Sequence, residues 1–185
     1  MASRGALGGL ARTTSGFVQA LDAAGFEVIL IETVGAGQAE VDIARLAHTT
    51  LVVEAPGMGD DIQAIKAGIL EIADILVINK SDRPGADQSA SHLRNMVEMG
   101  YAKRSHAGKH SLQDFSEKAA EELSSEDWIP PVLKTVASDY EGISELVDSI
   151  LAHAACLHQS GKWRVKDQAA IRATIRHQLI AGLLK

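Results

Sequence analysis

The chain alternates short apolar runs with longer stretches in which apolar residues recur every three or four positions. Phe26–Ile31 (F-E-V-I-L-I), Thr49–Glu54 (T-T-L-V-V-E), Ile75–Asn79 (I-L-V-I-N) and Val132–Val136 (V-L-K-T-V) are rich in β-branched residues and read as buried strands. Thr13 or Thr14 is expected to cap a helix reaching about Ala24, with Phe17, Val18 and Leu21 as its apolar stripe and Gly25 as its stop. Helical spacing returns at Ala39–Ala47, and again from Asp60 or Asp61 to about Ala73, where Ile62, Ile65, Ile69 and Ile72 repeat. Asp87 is expected to begin a helix to about Met99, and Ile143 one to about His158. Gly161 then breaks the chain before a last helix over Trp163–Leu184. Residues 100–127 read as a polar excursion with a short helix at Leu112–Leu123. Strands alternating with helices imply an α/β fold, a mostly parallel sheet with helices on both faces. Its loops should gather at the carboxyl ends of the strands.

At 185 residues and 46% hydrophobic content, the chain can bury a real core. Eighteen basic against 24 acidic residues leave a net charge of −6, which argues against nucleic-acid or anionic-membrane binding. Cys156 is the single cysteine, so no internal disulfide forms; that suits a reducing, cytoplasmic setting, with the thiol packed as a small apolar group. No apolar run approaches the roughly 20 residues that span a bilayer. The opening M-A-S-R-G-A-L-G-G-L lacks the apolar segment of a signal peptide.

Two strand ends carry candidate chemistry. The first strand stops at Glu32, and a polar loop with Gly35, Gly37 and Gln38 follows. A carboxylate there can reach a Mg²⁺ ion or its water, and Gly35 can bring its N–H close to a terminal phosphate. The third strand runs into Asn79-Lys80-Ser81-Asp82, the N-K-x-D sequence that reads guanine. The Asp82 carboxylate can accept from both the ring N1–H and the exocyclic amine of guanine, a pair of donors adenine does not present. Lys80 can lay its stem along the base, and Asn79 can brace the loop. The competing reading is an ordinary polar strand-to-helix turn, since Asn, Ser and Asp favour that position. His106 and His110 stand four apart around Gly108 with no third ligand, and are read as surface histidines.

E-T-V-G-A-G-Q-A-E from Glu32, A-P-G-M-G-D-D-I-Q-A-I-K-A-G-I-L-E-I-A-D from Ala55, and N-K-S-D from Asn79 closely resemble the MeaB/ArgK GTPases. That family assists the adenosylcobalamin-dependent methylmalonyl-CoA mutase, and relatives carry the label of lysine/arginine/ornithine transport system kinases. The likeness extends from S-R-G-A-L-G-G-L-A-R at the front to P-P-V-L-K-T-V-A-S-D-Y-E-G-I near Ile143. The resemblance implies a P-loop NTPase-type three-layer fold, GTP or GDP with Mg²⁺ as ligands, and a B12-dependent acyl-CoA mutase as partner. It places a partial GTPase domain over 1–158 and a helical extension over 159–185 that is a candidate for homodimer formation. By the same resemblance Glu32 holds the metal's water shell, Gly35 and Gly37 move with the γ-phosphate, and Asn79, Lys80, Asp82 and Ala137 read guanine. Ala137 does so through its backbone N–H, with Val136 standing where most GTPases have serine. Met58, Asp60, Gln63 and Lys66 fall in a further switch that senses nucleotide and partner. Gln38, the candidate for the catalytic glutamine, stands three residues after Gly35 rather than directly after it.

The chain departs from the family in one respect: no G-x-x-x-x-G-K-[ST] occurs in it. In the family that motif and the acidic metal ligand of the first switch precede the segment matching the front of this chain. The expectation is therefore an amino-terminally truncated protein or a misplaced start. The family role is a GTP-hydrolysing chaperone of the mutase, while this stretch alone should bind GTP poorly and hydrolyse it negligibly. The rival expectation is a non-catalytic binding module that keeps the partner-facing switch helices.

Overall fold

The computed structural model describes residues 9–33, 44, 46–57, 72–107 and 128–183. The chain divides into two compact units, one of residues 49–160 and one combining 1–48 with 161–185.

The 49–160 unit is built on Ile75–Asn79, strand β2, which lies between β1 (Leu51–Glu54) and β3 (Val132–Thr135) in an all-parallel sheet ordered β1-β2-β3. Ile75, Leu76, Val77 and Ile78 are each at most 1% exposed. Successive side chains of a strand point to opposite faces, so a run apolar at every position is one covered on both. Leu76 and Ile78 pack on one face against Ala86, Ala90 and Leu93 of helix α2 (Ala86–Ala107). Leaving four such side chains in water instead would cost about 1.5–3 kcal/mol each. Helix α3 (Ile143–Gln159) follows β3 and buries His153 and Leu157. The expected termini of β2, α3 and the closing helix agree with those observed to within a residue or two. Helix α2 runs eight residues past the expected Met99, to Ala107.

Strand β1 begins at Leu51 rather than at the expected Thr49, because both threonines turn to other partners. The Thr50 N–H donates to Asp74 Oδ2 at 2.8 Å, and the Thr50 carbonyl accepts from Asp74 and Ile75 N–H at 2.9 and 3.1 Å. Thr49 Oγ1 meets Nδ1 of His153 at 2.9 Å. The other ring nitrogen of His153 lies 3.4 Å from Asp74 Oδ1. Trp128 Nε1–H donates to the Asp74 carbonyl at 2.7 Å and tilts its ring against His153 at 4.8 Å. This network joins α3 and the approach to β3 to the amino ends of β1 and β2, opposite the loops.

The other unit contains α1 (Gly9–Ala23) and α4 (Lys162–Leu183), which touch. Thr13 and Thr14 lie inside α1 instead of capping it. The expected stop at Gly25 is present: Gly25 adopts φ +85°, its N–H donates to Asp22, and the Phe26 N–H donates to Leu21. These two bonds satisfy carbonyls of the last turn, and the left-handed residue closing them has no Cβ to strain. Phe17 (54%) and Leu21 (37%) of the expected core stripe are exposed, as are Ile171 (53%) and Ile175 (52%) on α4. His48 stacks flat on Trp163 at 3.8 Å, and its Nε2 lies 2.7 Å from Asp167 Oδ1. Lys166 Nζ donates to the His48 carbonyl at 2.6 Å.

Phe26–Ile31 is not the strand its composition predicts. It belongs to no ladder among the described residues, and Phe26 (57%), Val28 (75%) and Leu30 (89%) are exposed. A strand is defined by its hydrogen-bonded neighbour, and composition cannot supply one. The sheet therefore has three described strands where four were expected. Of the helix expected at Ala39–Ala47, Ala44 is helical and the rest lies largely outside the described residues. Nearly all of the helix after Asp60 and the whole Leu112–Leu123 segment also lie outside them.

Candidate functional site

The buried run of β2 ends at Asn79, and the next residue, Lys80, has φ +58°, one of two non-glycine residues described in the left-handed region. The second is Tyr140, φ +59°, in the facing loop. Such conformations cost about 1–3 kcal/mol and persist only where the surroundings hold them. Here the holding bonds are explicit. Arg83 N–H donates to the Lys80 carbonyl at 3.0 Å, closing a tight turn. Ser81 N–H donates to the Thr135 carbonyl at 3.0 Å, tying that turn to the end of β3. Gly85, at φ +90°, then turns the chain into α2. Lys134 Nζ donates to Asp87 Oδ1 at 2.8 Å and joins β3 to the first turn of α2. This bond, then the charge of Lys134, holds the Asp87 carboxyl below its ordinary value.

Asn79 and Thr135 are partners in the β2–β3 register. Thr135 Oγ1–H donates to Asn79 Oδ1 at 3.2 Å, and Ala137 N–H donates to the same oxygen at 3.2 Å. A backbone N–H can only donate, so the atom turned toward Ala137 is the amide oxygen, and the amide NH₂ is not the group that meets these two donors. Ala137–Asp139 forms a single 3₁₀ turn, closed by reciprocal bonds between Val136 and Glu141 at 3.0 and 3.2 Å. Gly142, φ +71°, caps α3; a Cβ there would overlap the carbonyl of Lys134. Both loops are thus fixed by their own backbone, with Lys80, Asp82 and Ala137 exposed.

Of the residues expected to read guanine, Asn79, Lys80 and Asp82 share one turn, and Ala137 is bonded to Asn79 across to the next strand. The Ala137 N–H is engaged with that side chain rather than pointing free. Glu32 is exposed, just after Phe26–Ile31. Gly35, Gly37, Gln38, Met58, Asp60, Gln63 and Lys66 lie outside the described residues. Among the described residues no group of three His, Cys, Asp or Glu is placed to hold a metal. Thr135 and Gly142 escaped the sequence reading. A hydroxyl residue ending an apolar strand one residue before the Val136-Ala137 pair was the available signal for the first.

A cleft of about 430 Å³ opens beside Ser81 and Asp82, walled by Lys134, Glu141, Gly142 and Glu145 among others. Both loops contribute to its walls, but Asn79, Lys80 and Ala137 do not. No helix among the described residues is long and apolar enough to cross a membrane.

Comparison with known proteins gives a consistent result. A Pyrococcus abyssi protein named as a GTPase is 41% identical over 184 residues, covering 100% of this chain and 51% of its own length. GTPase ArgK of Escherichia coli is 32% identical over 170 residues, covering 91% of this chain and 46% of ArgK. The crystal structure of an LAO/AO transport system kinase superposes with a TM-score of 0.70 at 24% identity, over 95% of this chain and 50% of the other. That likeness shows a shared fold, the P-loop NTPase-type α/β architecture. The chain spans about half the length of the curated relatives it matches. The parallel sheet, the N-K-S-D turn at its carboxyl edge, and a family match running over residues 1–185 agree, and the chain belongs to the MeaB family, described as methylmalonyl-CoA mutase-associated GTPase.

Proposed function

We propose that this stretch is the base-reading part of a MeaB-type GTPase. The observation that carries the reading is the double bond onto Asn79 Oδ1 from Thr135 and Ala137, which joins the two loops and leaves an amide donor beside an exposed carboxylate, Asp82. Guanine offers an acceptor edge for the first and the N1–H and amine donors for the second. Adenine lacks that pair of donors. Lys80, held at the base of the same turn, supplies an alkyl stem for the ring face.

The phosphates need several backbone N–H groups and a lysine around them. No sequence of that kind occurs in the 185 residues, so the activity proposed for this stretch is base recognition. GTP hydrolysis belongs to a polypeptide that also carries a phosphate loop, with Glu32 toward the Mg²⁺ water shell, Gly35 and Gly37 toward the γ-phosphate, and Gln38 as the candidate for the attacking water. The family description supports a B12-dependent acyl-CoA mutase as partner, met through Met58, Asp60, Gln63 and Lys66. A cytoplasmic setting and a homodimer through the closing helix complete the proposal.

Asp82→Asn tests it. Losing a carboxylate that accepts two hydrogen bonds should cost about 2–4 kcal/mol of guanine-nucleotide affinity. Xanthosine nucleotides, whose C2 oxygen can accept from the new amide, should gain. The proposal fails if the variant binds guanosine diphosphate as well as the parent in a calorimetric titration.

A further inference from the structure

We infer that Thr135 is a positioning residue for base recognition, holding the Asn79 amide when a bound base draws the Ala137 N–H away; the inference rests on the base-reading proposal above. Thr135 is 2% exposed at the last position of β3. Its hydroxyl bonds Asn79 and its carbonyl accepts from Ser81, so one residue grips the chain on both sides of the strained Lys80. Asn79 Oδ1 receives two donors, which fills both of its lone pairs.

The two donors differ in access. Ala137 sits on an exposed turn, whereas the Thr135 hydroxyl is enclosed. A carbonyl on a ligand can therefore compete only for the Ala137 N–H. Once it does, Asn79 Oδ1 keeps Thr135 alone, and the amide stays oriented with its NH₂ toward the ligand. Without the hydroxyl, binding would strip the half-buried oxygen of every donor. Either the amide rotates and misaligns its NH₂, or the base forgoes the Ala137 N–H. The hydroxyl thus matters more in the loaded protein than in the free one, where Ala137 still satisfies the oxygen.

The test is an amide-resolved NMR titration of the 185-residue protein with guanosine diphosphate and, separately, with 6-thioguanosine diphosphate. The thio analogue keeps the N1–H and amine but carries a weakly accepting sulfur at C6. Thr135→Val should weaken guanosine diphosphate about tenfold, the loss of about one hydrogen bond, while Thr135→Ser stays within about twofold of the parent. For the thio analogue the Thr135→Val penalty should shrink to about threefold or less. Equal penalties on both ligands, no penalty on either, or a Thr135→Ser variant as weak as Thr135→Val each overturn the inference and leave base reading by Asp82 standing. Should Thr135→Val not fold, the parent decides: an Ala137 amide resonance unmoved by saturating guanosine diphosphate overturns it. A parent that binds no guanosine diphosphate at millimolar concentration removes the base-reading proposal and this inference together.

Discussion

Val28-Ile29-Leu30-Ile31 and Ile75-Leu76-Val77-Ile78 contain the same four side chains in a different order, and they meet opposite fates. The second is buried at every position in the centre of a sheet. In the first, Val28 and Leu30 are 75% and 89% exposed and no ladder forms among the described residues. β2 has a strand on each edge and α2 against one face, so each of its apolar groups replaces water by protein. The earlier segment pairs with no strand among the described residues. What separates the two is neighbours, which a strand recruits from far along the chain.

The sharpest way to break the comparison is to truncate one leucine in each. Leu76→Ala should destabilise the protein by about 2–5 kcal/mol, the range for emptying a packed site. Leu30→Ala should stay within about 0.5 kcal/mol, as exposed substitutions do. Urea denaturation followed by far-UV circular dichroism measures both; equal losses would mean that Leu30 is buried in solution.

A somewhat smaller effect is expected where β2 begins. His153→Ala removes a buried ring bonded to Thr49 and close to Asp74, and leaves Trp128 without its ring partner. One or two polar groups lose a partner at about 1–3 kcal/mol each, so the cost should be about 2–4 kcal/mol. An unchanged denaturation midpoint would show that the network does not secure the amino end of the sheet.

Leu30→Ser should leave stability nearly unchanged but reduce self-association, because an exposed apolar segment rich in β-branched residues is a template for pairing. Sedimentation velocity at rising concentration reads this directly, and a parent that stays monodisperse throughout contradicts it.

The smallest effect concerns pH. The Asp87 carboxyl is held below its ordinary value by Lys134, so its contribution is present above the unfolded-state value and fades as pH falls through the folded one. The parent should exceed Asp87→Asn slightly at pH 7, and the gap should close below about pH 4. A gap that persists at pH 2 would assign the difference to something other than this ion pair.

The alternation of apolar runs and helical spacing located β2, β3, α3 and α4 closely, because each carries its signal within its own few residues. Gly25 and Gly161 were legible as stops for the same reason: φ above zero is a local demand that glycine meets at least cost. N-K-S-D announced the candidate site, since its chemistry resides in adjacent side chains.

Other features required the chain to be folded. Thr49 and Thr50 look like strand residues, yet Asp74 and His153 claim their polar groups, and those partners stand up to 104 positions away. Thr135 was passed over as an ordinary strand threonine because its partner, Asn79, lies 56 positions earlier. The need for glycine at position 142 comes from the Lys134 carbonyl, which only the turn at Val136–Glu141 brings close. By itself the sequence determined the class of fold, most of the element ends and the place of the N-K-S-D motif, all consequences of covalent neighbours and local backbone preference. Only the tertiary structure decided which of two equivalent apolar runs became the core, and which hydroxyl steadies Asn79, because burial and hydrogen bonding are properties of groups that meet through space.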